Sequence, residues 1–356
     1  MDGALELEFL DPGSEAWAVH ADVLLGRGDP RGELIAIEQR IEAIANGPER
    51  TELEAARDRL YDRHGRAWAG ELASAGVRRA VTVEWRYGYC RSVVLEIAEQ
   101  LRPHDLLRKV LNCEATSFLP TLHLRSHALQ GASIAEVVSE SLWPVRTLTL
   151  ELQPSAVDFP TIVESDACRA MMDALPYLRE LDIRGRRLLA DCSHADLEVI
   201  RVSGYDAIVG LGDSSELPSL RCLDLALLAG ARDDRPQEDA PAHGWLAALV
   251  SGEGMPSLRV LDLSRNGVGD GQQPRRRGGR VPHWLWAPLG ESRVLLQLDE
   301  LRLPPLDATG INAVLAVAAA LRRVPRIVMP YAVAREQGID GERLQAAIPQ
   351  LERRPV

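Results

Sequence analysis

Six consecutive residues, Asp191-Cys192-Ser193-His194-Ala195-Asp196, bring together a thiol, an imidazole and two carboxylates. Such a set could arm a cysteine nucleophile, or hold a metal through His194 and an acid. A nucleophile needs its base within hydrogen-bond reach and a donor site for the oxyanion. Neighbours on an extended chain point to opposite sides, although i and i+2 share one. The run lies just before a strand-like segment, Val199–Ser203, and we read it as a loop without chemistry, with metal binding through His194 the next reading. The remaining histidines (His20, His64, His104, His123, His127, His243 and His283) form no HExxH. Only His123 and His127 stand four apart, across a strand and its exit rather than on a helix, which does not suit zinc. Five cysteines (Cys90, Cys113, Cys168, Cys192 and Cys222) are an odd number without a CxxC pair. They suit buried thiols in a reducing cytosol better than disulfides or a zinc ribbon. Gly26-Arg-Gly28-Asp-Pro30-Arg-Gly32 is rich in glycine but lacks the lysine and hydroxyl of a phosphate loop, and Pro30 removes an N–H that an anion would want. A helix–helix turn suits it better. The expectation is no catalytic residue, no metal site and no cofactor.

Charge narrows the partners. The 356-residue chain carries a net charge of −11, which works against broad phosphate binding. One basic cluster stands out, Arg275-Arg276-Arg277-Gly-Gly-Arg280, and an acidic one precedes it, Asp233-Asp234-Arg-Pro-Gln-Glu238-Asp239. These could be solvated loops, protein contacts, or a grip on nucleic acid by the arginines. Trp284 and Trp286 beside the arginines could anchor a partner or fold back on the core. The start, Met1 to Leu10, is acidic without the basic region of a secretory signal. The longest apolar run, Ala313 to Leu321, is far short of the ~20 residues of a membrane helix. A cytoplasmic protein is expected.

The elements that must position all of this are set by an internal repeat. Leu175–Ile183 (LPYLRELDI), Leu217–Leu225 (LPSLRCLDL) and Met255–Leu263 (MPSLRVLDL) are near-copies, each containing Leu-x-x-Leu-x-Leu or its Ile variant. Weaker copies begin at Cys90, Leu119, Val145, Leu197, Leu298 and Val324, giving nine candidate units. The last two apolar residues of the string share one side of a short strand, and the residues between them face the other way. One unit cannot bury its apolar side alone, so stacked units form a parallel sheet with return segments behind it. Ser133-Ile-Ala-Glu136 reads as a capping box opening a helix with Ile134, Val137, Val138 and Leu142 inward. Further helices are expected over Asp166–Leu175, after Thr309, and over Asp340–Leu351. This alternation resembles the ribonuclease-inhibitor-like type of leucine-rich repeat, which implies an α/β, right-handed solenoid of about nine parallel strands with helices on the convex side.

Residues 14–75 read instead as three helices: Ser14 capping the first, with Trp17, Ala21, Leu24 and Leu25 inward, Pro30 opening the second and Pro48 the third. The string Ala21-Asp-Val-Leu-Leu-Gly-Arg-Gly-Asp-Pro-Arg-Gly-Glu-Leu-Ile-Ala-Ile-Glu-Gln39, followed by Trp85-Arg-Tyr-Gly88-Tyr89, resembles the bacterial repeat-companion domain that precedes leucine-rich repeats. Val23 stands where that family has Trp, inside the expected helix core, and the Trp85 segment is expected to start the first strand. The resemblance covers about residues 14–95 and implies a helical cap, with no catalytic residues. The expected organisation is thus a helical cap over 1–75, a solenoid over 76–330 and a C-terminal capping helix over 331–356.

Repeat arrays bind along the strand face turned away from the core. Across the units that face presents one column of Val94, His123, Thr149, Asp182, Arg201, Asp224, Asp262, Arg302 and Val328. Its neighbour holds Ser92, Thr121, Thr147, Glu180, Val199, Cys222, Val260, Glu300 and Arg326. The expectation is a non-enzymatic scaffold, sensor or regulator of another protein. Its binding residues would be Glu180, Asp182, Arg201, Asp224, Asp262, Glu300 and Arg302, with Asp233, Asp234, Arg275, Arg276, Arg277 and Trp284 as second candidates. A partner with a basic patch would dock near Asp182, Asp224 and Asp262. A nucleic-acid-associated regulator working through Arg275–Arg280, and a component of a thiol-dependent enzyme complex, are the alternatives.

Overall fold

The computed structural model describes residues 14–97, 103–126, 131–152, 165–184, 192–203, 216–226, 251–252, 254–265, 283–306, 308–330 and 338–354. Its strands form one open sheet in chain order: β1 Val81–Arg86, β2 Tyr89–Ile97, β3 Thr121–Ser126, β4 Thr147–Leu152, β5 Glu180–Arg184, β6 Val199–Ser203, β7 Cys222–Ala226, β8 Val260–Asp262, β9 Glu300–Arg302, β10 Arg326–Pro330 and β11 Leu351–Arg354. The pair β1–β2 is antiparallel, and the pairs β2–β3 and β5–β6 through β10–β11 are parallel.

Eleven strands are two more than the repeat count predicts. The first extra strand is β1. Trp85 to Tyr89 does not start a strand but carries the chain round a hairpin, because Tyr87 (φ 57°) and Gly88 (φ 76°) both take the left-handed conformation of a type I′ turn. The second is β11. The last helix ends at Ala347, short of the expected Leu351, because Pro349 disfavours helix in the residue before it. Leu351 then pairs opposite Ile327. Ile348-Pro-Gln-Leu351 is a worn copy of Val324-Pro-Arg-Ile327, the opening of the previous unit.

The chain divides into two compact units, the first holding residues 1–129, 136–151 and 174–178. It opens on three helices: α1 Ala16–Gly26, α2 Arg31–Ala43 and α3 Pro48–Ala69. The Ala16 N–H donates to Ser14 Oγ at 3.1 Å, as a capping serine should. Trp17, Ala21 and Leu24 are buried, and Trp17 meets Tyr87 at 4.9 Å and Phe118 at 5.4 Å between ring centroids. Leu25 and Val23 are both exposed, contrary to expectation. Trp17, Ala21 and Leu24 already fill the inward stripe, and Val23, six residues after Trp17, falls on the far side.

The Gly28–Gly32 string works as a lock. Gly28 (φ 73°) makes the turn that L side chains resist. The Asp29 carboxylate accepts from the Arg31 N–H at 2.9 Å and from its guanidinium, whose Nη2 also reaches Glu114 at 2.6 Å. That guanidinium lies 5.0 Å from the Tyr89 ring centroid. At Gly32 a Cβ would stand 2.6 Å from the Ala21 carbonyl oxygen, so glycine lets α1 and α2 touch backbone to backbone. At Gly88 a Cβ would stand 2.7 Å from Arg31 Cγ, which ties the hairpin turn to the same arginine. Behind the turn, Glu38 accepts from the Tyr87 N–H at 2.8 Å and the Tyr61 hydroxyl at 2.9 Å.

The second unit holds residues 130–135, 152–173 and 179–356. Its strands bury one side each: Leu181 and Ile183, Ile200 and Val202, Leu223 and Leu225, Leu261, Leu301, Ile327 and Met329, and Leu351. Return helices add Met171 and Met172 from Ser165–Asp173, Trp286 and Leu289 from His283–Glu291, Ile311 and Val314 from Ala308–Ala316, and Leu344 from Gly338–Ala347. Full burial of each such leucine contributes roughly 1.5–3 kcal/mol.

The units of the repeat are equivalent in hydrogen bonding as well as in sequence. The Arg179 carbonyl accepts from Glu198 and Val199, that of Glu198 from Arg221 and Cys222, that of Arg221 from Arg259 and Val260, and that of Arg259 from Asp299 and Glu300. Pro120 does the same for Arg146 and Thr147 within the first unit. Strands β4, β6, β7, β8 and β9 are therefore entered by the same forked bond.

Two predicted helix starts are corrected. The helix Gly131–Val138 begins before Ser133, so the capping box is not its cap, and it ends before Leu142, which is exposed. Thr309 likewise lies inside a helix that starts at Ala308. In both, a residue N-terminal to the cap signal already holds helical backbone.

Candidate functional site

The register places the two columns of the outward face as the repeat predicts. Asp182, Arg201, Asp224, Asp262, Arg302 and Val328 stand in line, and so do Glu180, Val199, Cys222, Val260, Glu300 and Arg326. In the first unit Ser92 stands beside Thr121, and Val94 beside His123. Adjacent column members are strand neighbours, ~4.8 Å apart, so charged side chains reach one another directly.

They do so in three separate pairs and one linked chain that runs from Asp262 through Arg302, Glu300 and Arg326 to Glu352. Arg184 Nη2 donates to Asp182 at 2.9 Å and Arg201 Nη1 to Glu180 at 2.8 Å. Arg265 Nε donates to Asp224 at 2.9 Å. Arg302 donates from Nε to Glu300 and from Nη1 to Asp262 at 2.9 Å. Arg326 donates to Glu300 at 2.7 Å and, through Nε and Nη2, to both oxygens of Glu352 at 3.1 and 3.0 Å. Asp262 also accepts from the Ser264 N–H at 2.8 Å and its hydroxyl at 2.6 Å, so it closes the turn after β8.

The pairing is layered. The side chains of Asp182, Asp224, Asp262 and Glu300 are 11%, 12%, 9% and 13% exposed. Those of Arg201, Arg302 and Arg326 are 38%, 43% and 36% exposed. These four carboxylates are sunk against the sheet with guanidinium groups over them, whereas Glu180 and Glu352 stand out as far as their partners Arg201 and Arg326. The expected open acidic patch at Asp182, Asp224 and Asp262 is therefore absent, because short Asp side chains stay low while long Arg side chains fold over them from the same strand or the next. Arg302 and Arg326 are likewise paired, with Glu300 and Glu352. Burial pushes the Asp224 carboxyl above its ordinary range, opposed by Arg265. The Glu300 and Asp262 carboxylates hold Arg302 above its ordinary value.

Four members of the network were not among the predicted binding residues: Arg326, which stood in a predicted column, and three that stood in neither. Arg184 is two residues after Asp182 and shares its side of the strand, a signal that was legible. Glu352 sits on the unforeseen β11, and Arg265 lies in the segment after β8, whose geometry no repeat pattern gives.

In the first unit, on the same face of its strands, Arg125 bridges Glu96 at 3.1 Å and Glu151 at 3.0 Å, and His123 Nε2 stands 3.4 Å from Glu151.

The remaining candidates separate. Asp233, Asp234, Arg275, Arg276 and Arg277 lie outside the described residues, as does the side chain of Trp284. Trp286 is buried, so it folds back on the core. Cys192 is fully buried, while Ser193 Oγ accepts from the Glu216 N–H and His194 Nδ1 from the Asp196 N–H. These bonds hold a turn, and Asp191 lies outside the described residues. Among the described residues no three His, Cys, Asp or Glu side chains are grouped to hold a metal, and no helix is long and apolar enough to cross a membrane.

No protein family and no curated protein matches the chain. A protein of Bacteroides fragilis, solved as a structural-genomics target, is similar in structure with a TM-score of 0.44 and 18% identity, over 86% of this chain and 84% of that one.

Proposed function

We propose that the chain is a leucine-rich-repeat solenoid of the ribonuclease-inhibitor-like type, right-handed and capped by a repeat-companion module, and that it is a non-enzymatic binder of another protein in the cytoplasm. The observation that carries the reading is the outward side of β5–β11, where residues in register present ion-paired charge interleaved with Val199, Val260 and Val328. Half-exposed ion pairs contribute only about 0–1 kcal/mol each, and sinking a carboxylate against a sheet opposes that gain. Such a network is better accounted for by recognition than by stability, since charge patterns set partner choice and association rate.

The test is a pull-down from the source cell with the full chain, followed by reconstitution with the purified candidate partner. Replacing Arg201, Arg302 and Arg326 together by Gln should weaken that purified complex at least tenfold, about 1.4 kcal/mol, in a variant that still melts cooperatively above the assay temperature. A partner that binds the triple variant as tightly as the wild type would remove the face from the account.

A further inference from the structure

The layering of the face says more than that it binds. Over Asp182, Asp224, Asp262 and Glu300 a partner meets guanidinium groups first, because those carboxylates are at most 13% exposed, while beside Arg201 and Arg326 it meets Glu180 and Glu352 as well. We infer that this face takes an acidic protein segment, whose Asp or Glu side chains are captured by Arg201, Arg302 and Arg326. The inference rests on the protein-binding reading above and adds the chemistry of the partner.

Three features support it. First, the guanidinium groups are already ordered. Arg302 is held between Glu300 and Asp262, and Arg326 between Glu300 and Glu352. An arginine fixed before contact loses less side-chain freedom when it binds, and so holds a ligand better. Second, donors remain. A guanidinium carries five N–H groups. Arg201 donates to Glu180 from one nitrogen, and Arg302 to its two carboxylates from two. The rest are oriented by those bonds, ready for the forked pairing that arginine makes with a carboxylate.

Third, the spacing suits a polypeptide. Arg201 on β6 is three strands from Arg302 on β9, and Arg326 is on the next strand. At ~4.8 Å per strand the first gap is about 14 Å and the second about 5 Å. An extended peptide lying across the strands advances roughly 3.4 Å per residue, so acids at i, i+4 and i+6 fall within reach of the three arginines. A nucleic acid fits less well. Its phosphates form an unbroken row of charge that would meet Glu180 and Glu352, which are 42% and 50% exposed, whereas a peptide can carry neutral residues opposite them.

The experiment uses the full chain and four fluorescent probes: a peptide with Glu at i, i+4 and i+6 on a Ser/Ala background, the same peptide with Gln, the same with Lys, and a single-stranded DNA of similar length. Anisotropy titrations at low and at physiological salt give the affinities. The Glu peptide should bind at least tenfold more tightly than the Gln peptide, and raising the salt should weaken it. Arg302→Gln with Arg326→Gln should reduce that affinity about tenfold or more. Arg302→Lys, which keeps charge and fold but loses the fork, should reduce it severalfold.

Equal binding of the Glu and Gln peptides overturns the inference, and so does DNA that competes the Glu peptide away. A Lys peptide that binds more tightly, and is lost on Asp182→Asn with Asp224→Asn, overturns the sign of the partner and leaves the protein-binding face standing. If no peptide binds and the purified partner is indifferent to the arginine substitutions, both readings fall.

Discussion

Gly32 offers a substitution whose sign is decided by a contest between two known effects. It lies in helix α2, where alanine is favoured over glycine by about 0.8–1 kcal/mol. Propensity alone therefore predicts that Gly32→Ala stabilises the protein. The new methyl carbon would sit 2.6 Å from the Ala21 carbonyl oxygen, 2.8 Å from the Leu25 nitrogen and 2.8 Å from Leu25 Cγ. Two of these atoms are backbone of α1 and cannot turn aside. Overpacking of this kind costs typically 1–3 kcal/mol, and contact with two backbone atoms of α1 places it at the upper end. The balance is a loss of about 2 kcal/mol. Gly65 in α3 is the control, because a methyl there has only Tyr61 Cδ1 within 4 Å, at 3.8 Å, an ordinary contact. Gly65→Ala should gain up to about 1 kcal/mol. Urea unfolding gives the two signs, and hydrogen exchange of peptides from 16–43 shows whether the loss is local to α1 and α2. If Gly32→Ala matches or exceeds the wild type, the backbone contact does not hold the helices together and the account of the Gly28–Gly32 lock is wrong.

Three further outcomes follow from the same structure. Burial raises the Glu38 carboxyl above its ordinary value of 4.5, against bonds from Tyr87 and Tyr61, so the folded chain binds this proton more tightly than the unfolded one. Its contribution is full below about pH 4.5 and declines as pH rises through the raised value; the stability of wild type minus Glu38→Gln, measured by urea unfolding, should fall across that window, and a rise would refute it. Alkylation of the native protein followed by peptide mapping should modify Cys113 and Cys222, which are half-buried, before Cys90, Cys168 and Cys192, and fastest labelling at Cys192 would overturn the non-enzymatic reading. Replacing Glu300, Arg302 and Arg326 by Thr together with Asp262→Asn, which keeps an acceptor for Ser264, should change stability by no more than about 1 kcal/mol; a loss above about 3 kcal/mol would make the network structural.

What could be read in advance divides by the range of the interaction. The two face columns are legible because Leu-x-x-Leu-x-Leu fixes side-chain parity, and parallel pairing of equivalent units then fixes register. The hairpin at Tyr87-Gly88 was hidden because a non-glycine residue at positive φ leaves only Gly88 as a signal. Strand β11 was hidden because its unit keeps only Ile348, Pro349 and Leu351 of the string. Val23 was misplaced because a family preference for tryptophan says nothing about which side of α1 is covered. Ion pairing was the hardest to foresee. Asp182 and Arg184 are two apart and legible, but the bonds from Arg265 to Asp224 and from Arg326 to Glu352 join positions 41 and 26 residues apart. They depend on how far each side chain reaches once the strands are stacked.

That dependence on reach also bears on what the face is for. Val199, Val260 and Val328 occupy the same two columns as the charged residues, so the sheet accepts a β-branched apolar side chain at these positions. A face chosen for strand stability alone would repeat that solution at every layer. Instead the long side chains are arginines and the short ones aspartates, an arrangement in which the carboxylates at 182, 224 and 262 give up water while the guanidinium groups keep it. Over these three aspartates the sign presented to solvent is thus set by side-chain length rather than by net charge. An acidic protein can carry a face that captures acids.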